Sequence, residues 1–363
     1  MALKSNLREF PGLSHLAFQH PLDAQARIVL EKVPLLPQIT KGLSGAVTER
    51  FIRISQISSS VRINSRQYPS LYRQYVKMAQ VLDLQKLPDL YVKTSPTINA
   101  FSFGVESYFI VVTSGLIDIL TEDELLSVIA HELGHVKCEH MLYVSMTNLL
   151  KDFGANIIEQ FVPGVGIFAS LGMQLAILEW YRKAEFSCDR SALLAVQESE
   201  VICNALAKLA GYSKNLEGTL SLDEIKQQAG TYQEIGAESN VDKMVKALVL
   251  LEETHPYPVV RVAEISLWAD SSEYAQIVSG NYQKINMLAQ NKNLPTAPLN
   301  TPTGIMCPNA KCKAIWPAET SYCGKCANSL KLGQLVCGKC LNFINPGWVV
   351  CSNCGNQLIV QTS

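Results

Sequence analysis

The sequence predicts a mainly helical α+β domain with one small sheet, followed by two short cysteine modules in tandem. Three observations predict it. Apolar residues recur at helical spacing through much of the first 290 positions, short β-rich runs gather between Leu90 and Thr113, and eight of the eleven cysteines stand in close pairs after residue 306. A chain of 363 residues suffices for about two domains. The domain is expected over residues 1–290, with a helical N-terminal layer at 1–85 and the core that carries the chemistry at 86–290.

In residues 1–85 the apolar spacing of Asp23–Leu30 and Leu71–Ala79 is helical, and Pro21, Pro34, Pro37 and Pro69 punctuate it. Leu90–Lys93 and Tyr108–Thr113 read as strands, closed by Ser114 and Gly115. Thr121 and Glu124 have capping-box spacing, and the acids Glu122, Asp123 and Glu124 suit the positive end of a helix dipole, so a helix starts at Thr121. An apolar stretch follows between Asn156 and Tyr181, then a helix over Trp180–Val196 and further helices to about Gln290. Residues 291–305 hold Pro295, Pro298 and Pro302 without periodicity and read as a linker to the modules at 306–363.

His131, Glu132 and His135 fit H-E-x-x-H on the helix that opens at Thr121. Residues four apart share a helix face, so both imidazoles can reach one zinc ion while Glu132 lies beside it as a general base for a zinc-bound water. Leu125, Leu126, Val128, Ile129, Leu133 and Val136 give that helix an apolar flank to bury. A catalytic zinc takes a third protein ligand and keeps a fourth position open. The metzincin pattern would put histidine at 141 and glycine at 138, but Met141 and Cys138 stand there, which removes that class. A carboxylate from a later helix is the alternative. Glu185, with Asp189 one turn on, supplies it, Asp189 orienting a ligating histidine; taken alone, the pair reads as a solvated acidic face balanced by Arg182 and Arg190.

With these residues the chain resembles the zinc metallopeptidases that include the HtpX proteases and the CAAX prenyl endopeptidases. Four motifs carry the resemblance in order: Asn99-Ala100-Phe101, the His131–His135 motif, Glu185 with Asp189, and His255-Pro256 followed by Arg261. It covers about residues 20 to 285 and implies a gluzincin-like fold with the site in a cleft between helices and a small sheet. It also implies that the edge strand at Asn99, Ala100 and Phe101 receives substrate as an extended strand. By resemblance His255 faces the metal, either stabilising the oxyanion or closing the fourth position at rest, and Arg261 supports the site electrostatically. His15, His20 and His140 have no partner at metal spacing and read as structural or solvated.

Cys307, Cys312, Cys323 and Cys326 form one module, and Cys337, Cys340, Cys351 and Cys354 a second, each able to make a four-thiolate zinc site; crossed pairing between them stays open. Segments so short fold only with metal. The expected cofactors are therefore one catalytic and two structural zinc ions. Cys138, Cys188 and Cys203 read as small buried apolar residues.

The net charge of −1 lowers the expectation of nucleic-acid or anionic-lipid binding, and the basic residues of the modules make a thin footprint for nucleic acid. The first thirty residues lack a secretory h-region, so a cytoplasmic setting is expected, with contact to the inner face of a membrane left open. Phe161–Leu178 carries no charge over 18 residues, at the lower edge of a bilayer span, yet one span would part His131 and His135 from Glu185. A buried or interfacial hairpin over 141–180 follows, with peripheral or re-entrant membrane contact open because relatives place spans there. The sequence is thus expected to encode a zinc endopeptidase acting on polypeptides, its modules recruiting a substrate or protein partner. The competing class is an inactive protease-fold scaffold that acts through those modules, against which every chemical position from His131 to Glu185 is filled.

Overall fold

The computed structural model describes residues 7–33, 36, 46–104, 107–153, 167–216, 218–235, 257–285, 303–307, 315–317 and 334–337. They fall into two compact units, Met1–Lys284 and Ile285–Ser363.

In the first unit the described elements begin with α1 (Pro21–Leu30) and α2 (Ala46–Ser59). There follow strand β1 (Val61–Ile63), helix α3 (Pro69–Val81), and strands β2 (Asp89–Lys93), β3 (Ala100–Phe103) and β4 (Phe109–Thr113). The sheet has the order β1-β2-β4-β3, with β2 and β4 parallel and the outer strands antiparallel to their neighbours. The N-terminal layer is therefore not wholly helical: β1 joins the sheet from within 1–85. Three residues are too few to display an alternating pattern.

Strand β4 is buried along its whole length. Alternation sends Ile110 and Val112 to one apolar cluster and Phe109 and Val111 to another on the opposite face. The first cluster takes Phe10, Leu13 and Phe18 from the N-terminal layer together with Leu125, Ile129 and Leu133, so layer and core share one interior.

After the short helix α4 (Ser114–Ile119) comes α5 (Glu122–Lys137), which opens with the expected capping box: the Glu124 N–H donates to Thr121 Oγ1 and the Thr121 N–H donates to Glu124 Oε2. Helices α6 (Met141–Phe153) and α7 (Ile167–Val196) follow. Helix α7 runs unbroken from Ile167, so the helix expected at Trp180–Val196 is the second half of a longer one; the turn near Pro163 lies outside the described residues. No helix among the described residues is long and apolar enough to cross a membrane.

Helices α8 (Ser199–Gly211), α9 (Leu222–Glu234), α10 (Pro258–Ala269) and α11 (Ser272–Ser279) complete the unit. Gly134 is where α5 meets α7: a Cβ there would lie 2.9 Å from Ser191 Cβ and 3.0 Å from Cys188 Cα. Only glycine admits so close a crossing, and it brings the faces of His131, His135 and Glu185 together.

The described part of the second unit is a three-stranded sheet of β5 (Thr303–Met306), β6 (Ile315–Pro317) and β7 (Gln334–Cys337), ordered β6-β5-β7. Strand β5 begins inside the segment expected as linker, which therefore ends before Thr303. Thr303 pairs with Cys337 and Met306 with Gln334, so Cys307 and Cys337 stand at opposite ends of one antiparallel pair. Cys312, Cys323, Cys326, Cys340, Cys351 and Cys354 lie outside the described residues.

Candidate metal centre

Helix α5 turns His131, Glu132 and His135 toward α7, and all three are buried, at 7%, 7% and 1% exposure. From α7, the fully buried Glu185 reaches both imidazoles: Oε2 lies 3.2 Å from His131 Nε2 and Oε1 3.2 Å from His135 Nε2. His135 Nε2 makes no hydrogen bond among the described residues. Two imidazole nitrogens and a carboxylate converging at this spacing fit a tetrahedral ion, whose bonds of about 2.0–2.1 Å hold its donors ~3.3 Å apart.

The far side of His131 is held from two elements. Its Nδ1 lies 2.9 Å from Asp189 Oδ1, and Arg261 on α10 donates to the same carboxylate through Nε at 2.8 Å and Nη2 at 2.6 Å. Arg261 Nη1 also stands 3.2 Å from Glu185 Oε2, so one guanidinium serves two buried acids. The acidic pair is not a solvated face, and the arginines nearest in sequence go elsewhere: Arg182 pairs with Glu179, and Arg190 lies over the Trp268 ring. Burial pushes the Asp189 carboxyl up, but Arg261 and His131 outweigh it and hold it below its usual range. Burial lowers His131, while Glu185 and the bond to Asp189 overcome that and push it up to about 9. A cation entering the site must therefore displace a proton from His131.

His135 is stacked on Tyr181, with ring centroids 5.7 Å apart and planes 7° from parallel. Behind it His140 is fully buried, its Nδ1 3.4 Å from His135 Nδ1 and its Nε2 3.1 Å from Asp23 Oδ2. Of the two readings the sequence left for His140, structural or solvated, the buried ring takes the structural one. No sequence signal ties it to Asp23, 117 residues away. Cys188 also gathers with His131 and His135, one ligand-capable atom of each lying within 4.8 Å of the others. Cys188 Sγ also lies 3.7 Å from His140 Nδ1, and burial pushes its thiol well above the ordinary range.

Above the ligand set opens a cavity of about 420 Å³ whose lining includes Asn99, Ala100, His131, Glu132, Glu185 and Arg261. Asn99 and Ala100 thus meet the site from the sheet edge. Phe101 does not line the cavity: it turns to the opposite face of β3 and packs beside the second cluster, as strand alternation requires. Tyr257 and Pro258 line the cavity, whereas His255 lies outside the described residues.

Comparison with known proteins decides the family. The model of peptidase family M48 matches residues 65–269. This chain belongs to peptidase family M48. An M48 chain from Arabidopsis thaliana, the plastoglobule-localized metallopeptidase 48 of the chloroplast, is 35% identical over 271 residues, covering 74% of the present chain and 77% of the relative. HtpX protease homologues from Fusobacterium nucleatum and Tropheryma whipplei are 38% identical over 96 residues and 27% over 187, matching 28% and 63% of their own lengths. The protein is a zinc metallopeptidase of the M48 family, and its helical domain with one small sheet agrees with that membership.

Proposed function

We propose that this M48 protein is an endopeptidase in which His131, His135 and Glu185 hold the catalytic zinc and Glu132 is the general base. The convergence of the two Nε2 atoms on the buried Glu185 carboxylate carries the reading. Zinc bound there supplies a Lewis acid that brings the pKa of its water to about 7. Glu132, on the cavity wall, accepts the proton of the attacking water and returns it to the leaving amine. Asp189 and Arg261 hold His131 in place from behind. Strand β3 lies at the sheet edge beside the cavity, so an extended polypeptide adds to it through main-chain hydrogen bonds, with Asn99 and Ala100 nearest the scissile bond. His255 supports the reacting carbonyl or closes the resting site.

The eight cysteines after residue 306 hold two structural zincs. The β5–β7 register supports separate sites, because ends four residues apart stand ~13 Å from one another. The modules recruit a protein substrate or partner, and the enzyme works in the cytoplasm or against the inner face of a membrane. Replacing Glu132 by Gln in the full chain tests the mechanism. Peptide hydrolysis should fall by at least ~10²-fold with zinc content unchanged, since a base and not a ligand is removed. Turnover near that of the parent would reject Glu132 as the base.

A further inference from the structure

The two histidine ligands are supported differently. His131 is backed directly by the Asp189 carboxylate, whereas His135 is backed by a second imidazole. Asp23 lies behind that imidazole, fully buried, and accepts from Ser187 Oγ at 2.7 Å, Gln19 Nε2 at 3.0 Å and Trp180 Nε1 at 3.2 Å. Three donors fix both carboxylate oxygens, and the fourth partner, His140 Nε2 at 3.1 Å, must carry hydrogen, because a carboxylate only accepts. In the neutral ring His140 Nδ1 is then a bare acceptor. Two groups can donate to it: His135 Nδ1 at 3.4 Å, long for a hydrogen bond, and the Cys188 thiol at 3.7 Å. If His135 places its hydrogen on Nδ1, its Nε2 lone pair is left facing Glu185, as a metal ligand requires.

We propose that Asp23 and His140 are positioning residues for His135, forming an Asp23–His140–His135 relay that selects the ligating tautomer and holds the ring plane against Tyr181. The inference rests on the reading of His135 as a zinc ligand. Asp23 comes from α1 and His140 from the turn between α5 and α6, so the relay also pins the N-terminal layer to the metal helix. Partners behind a ligating histidine are worth roughly 10–100-fold in metal affinity.

The test is zinc affinity of the full-length chain in competition with a chromophoric chelator, counted above the baseline of His131→Ala, which lacks the catalytic site but keeps the cysteine modules. His140→Leu, which fills the space without an acceptor, should weaken the catalytic site roughly 10–100-fold. His140→Gln should recover most of that loss, since its carbonyl can accept from His135 while its amide donates to Asp23. Cys188→Ala should keep parental affinity. Equal affinity in His140→Leu and the parent overturns the relay, as does equal loss in the Leu and Gln variants, which would make His140 a packing residue. A loss in Cys188→Ala as large as in His140→Leu would make the thiol the ligand and also overturns it. Should the Leu variant fail to fold, His140→Gln decides alone: affinity within about threefold of the parent supports the relay, and a loss approaching ~100-fold rejects it. If His131→Ala itself binds as much zinc as the parent, the ligand assignment has failed, an outcome distinct from failure of the relay.

Discussion

Glu185 and Asp189 lie one turn apart on α7 and do different work. Glu185 is in contact with the imidazoles of both His131 and His135, whereas the hydrogen-bond partners of Asp189 among the described residues are His131 and Arg261. Glu185→Ala should therefore empty the catalytic site, while Asp189→Ala should leave zinc bound but ~10–100-fold more weakly. Metal analysis against the His131→Ala baseline separates them, and full occupancy in Glu185→Ala would place the third ligand elsewhere. Lys137, at the end of α5, gives a second test. Burial drives its ammonium from 10.5 down to about 8, although its Nζ still donates to the Asp83 carbonyl. Between those values the unfolded chain binds the extra proton, so unfolding free energy should gain from this group as pH rises from 8 to 10.5. Urea unfolding of the parent and of Lys137→Met across that interval checks the sign: the variant should lack this rising component. At this scale the sequence was legible wherever chemistry has a local period. His131, Glu132 and His135 declare themselves by a helix face, and Glu185 by the demand for a third ligand. Asp23 and His140 do not, because their pairing is made by tertiary packing alone.

Helix α5 illustrates why some elements could be read from residue types. Its capping box is a four-residue signal and its apolar flank a repeating one, so both start and orientation were visible before the fold. Strand β1 and the first half of α7 were not, since one is too short for alternation and the other is apolar on nearly every face. The crossing of α5 and α7 depends on a residue with no side chain. Gly134→Ala would gain about 1 kcal/mol of helix propensity, yet its Cβ would meet the Cys188 Cα at 3.0 Å. A backbone atom cannot rotate aside, so overpacking of roughly 1–3 kcal/mol should win. The helices must then separate, carrying Glu185 away from His131 and His135. Gly134→Ala should thus lower both the urea midpoint and catalytic zinc affinity, and unchanged values for both would mean that the crossing has slack.

For the whole molecule, the chain divides into the units Met1–Lys284 and Ile285–Ser363. The described members of the two apolar clusters all lie before residue 283, so the interior that supports the ligand set is built from the first unit. The second unit has only short strands among its described residues, and on the proposed reading its cysteines hold the metal that a segment of this size needs to fold. A chain ending at Gln290 should therefore lose two zinc ions and keep one, with its melting temperature and turnover of a short peptide close to those of the full chain. Turnover of a protein substrate should fall, because a tethered module raises the effective concentration of whatever it holds, and removing it restores bimolecular capture. The three measurements separate recruitment from scaffolding. If the shortened chain melts earlier and loses peptide turnover in the same proportion as protein turnover, the cysteine modules stabilise the peptidase unit and do not recruit. If protein turnover alone declines, and declines less as substrate concentration is raised, the modules act by holding substrate near the His131, His135 and Glu185 site.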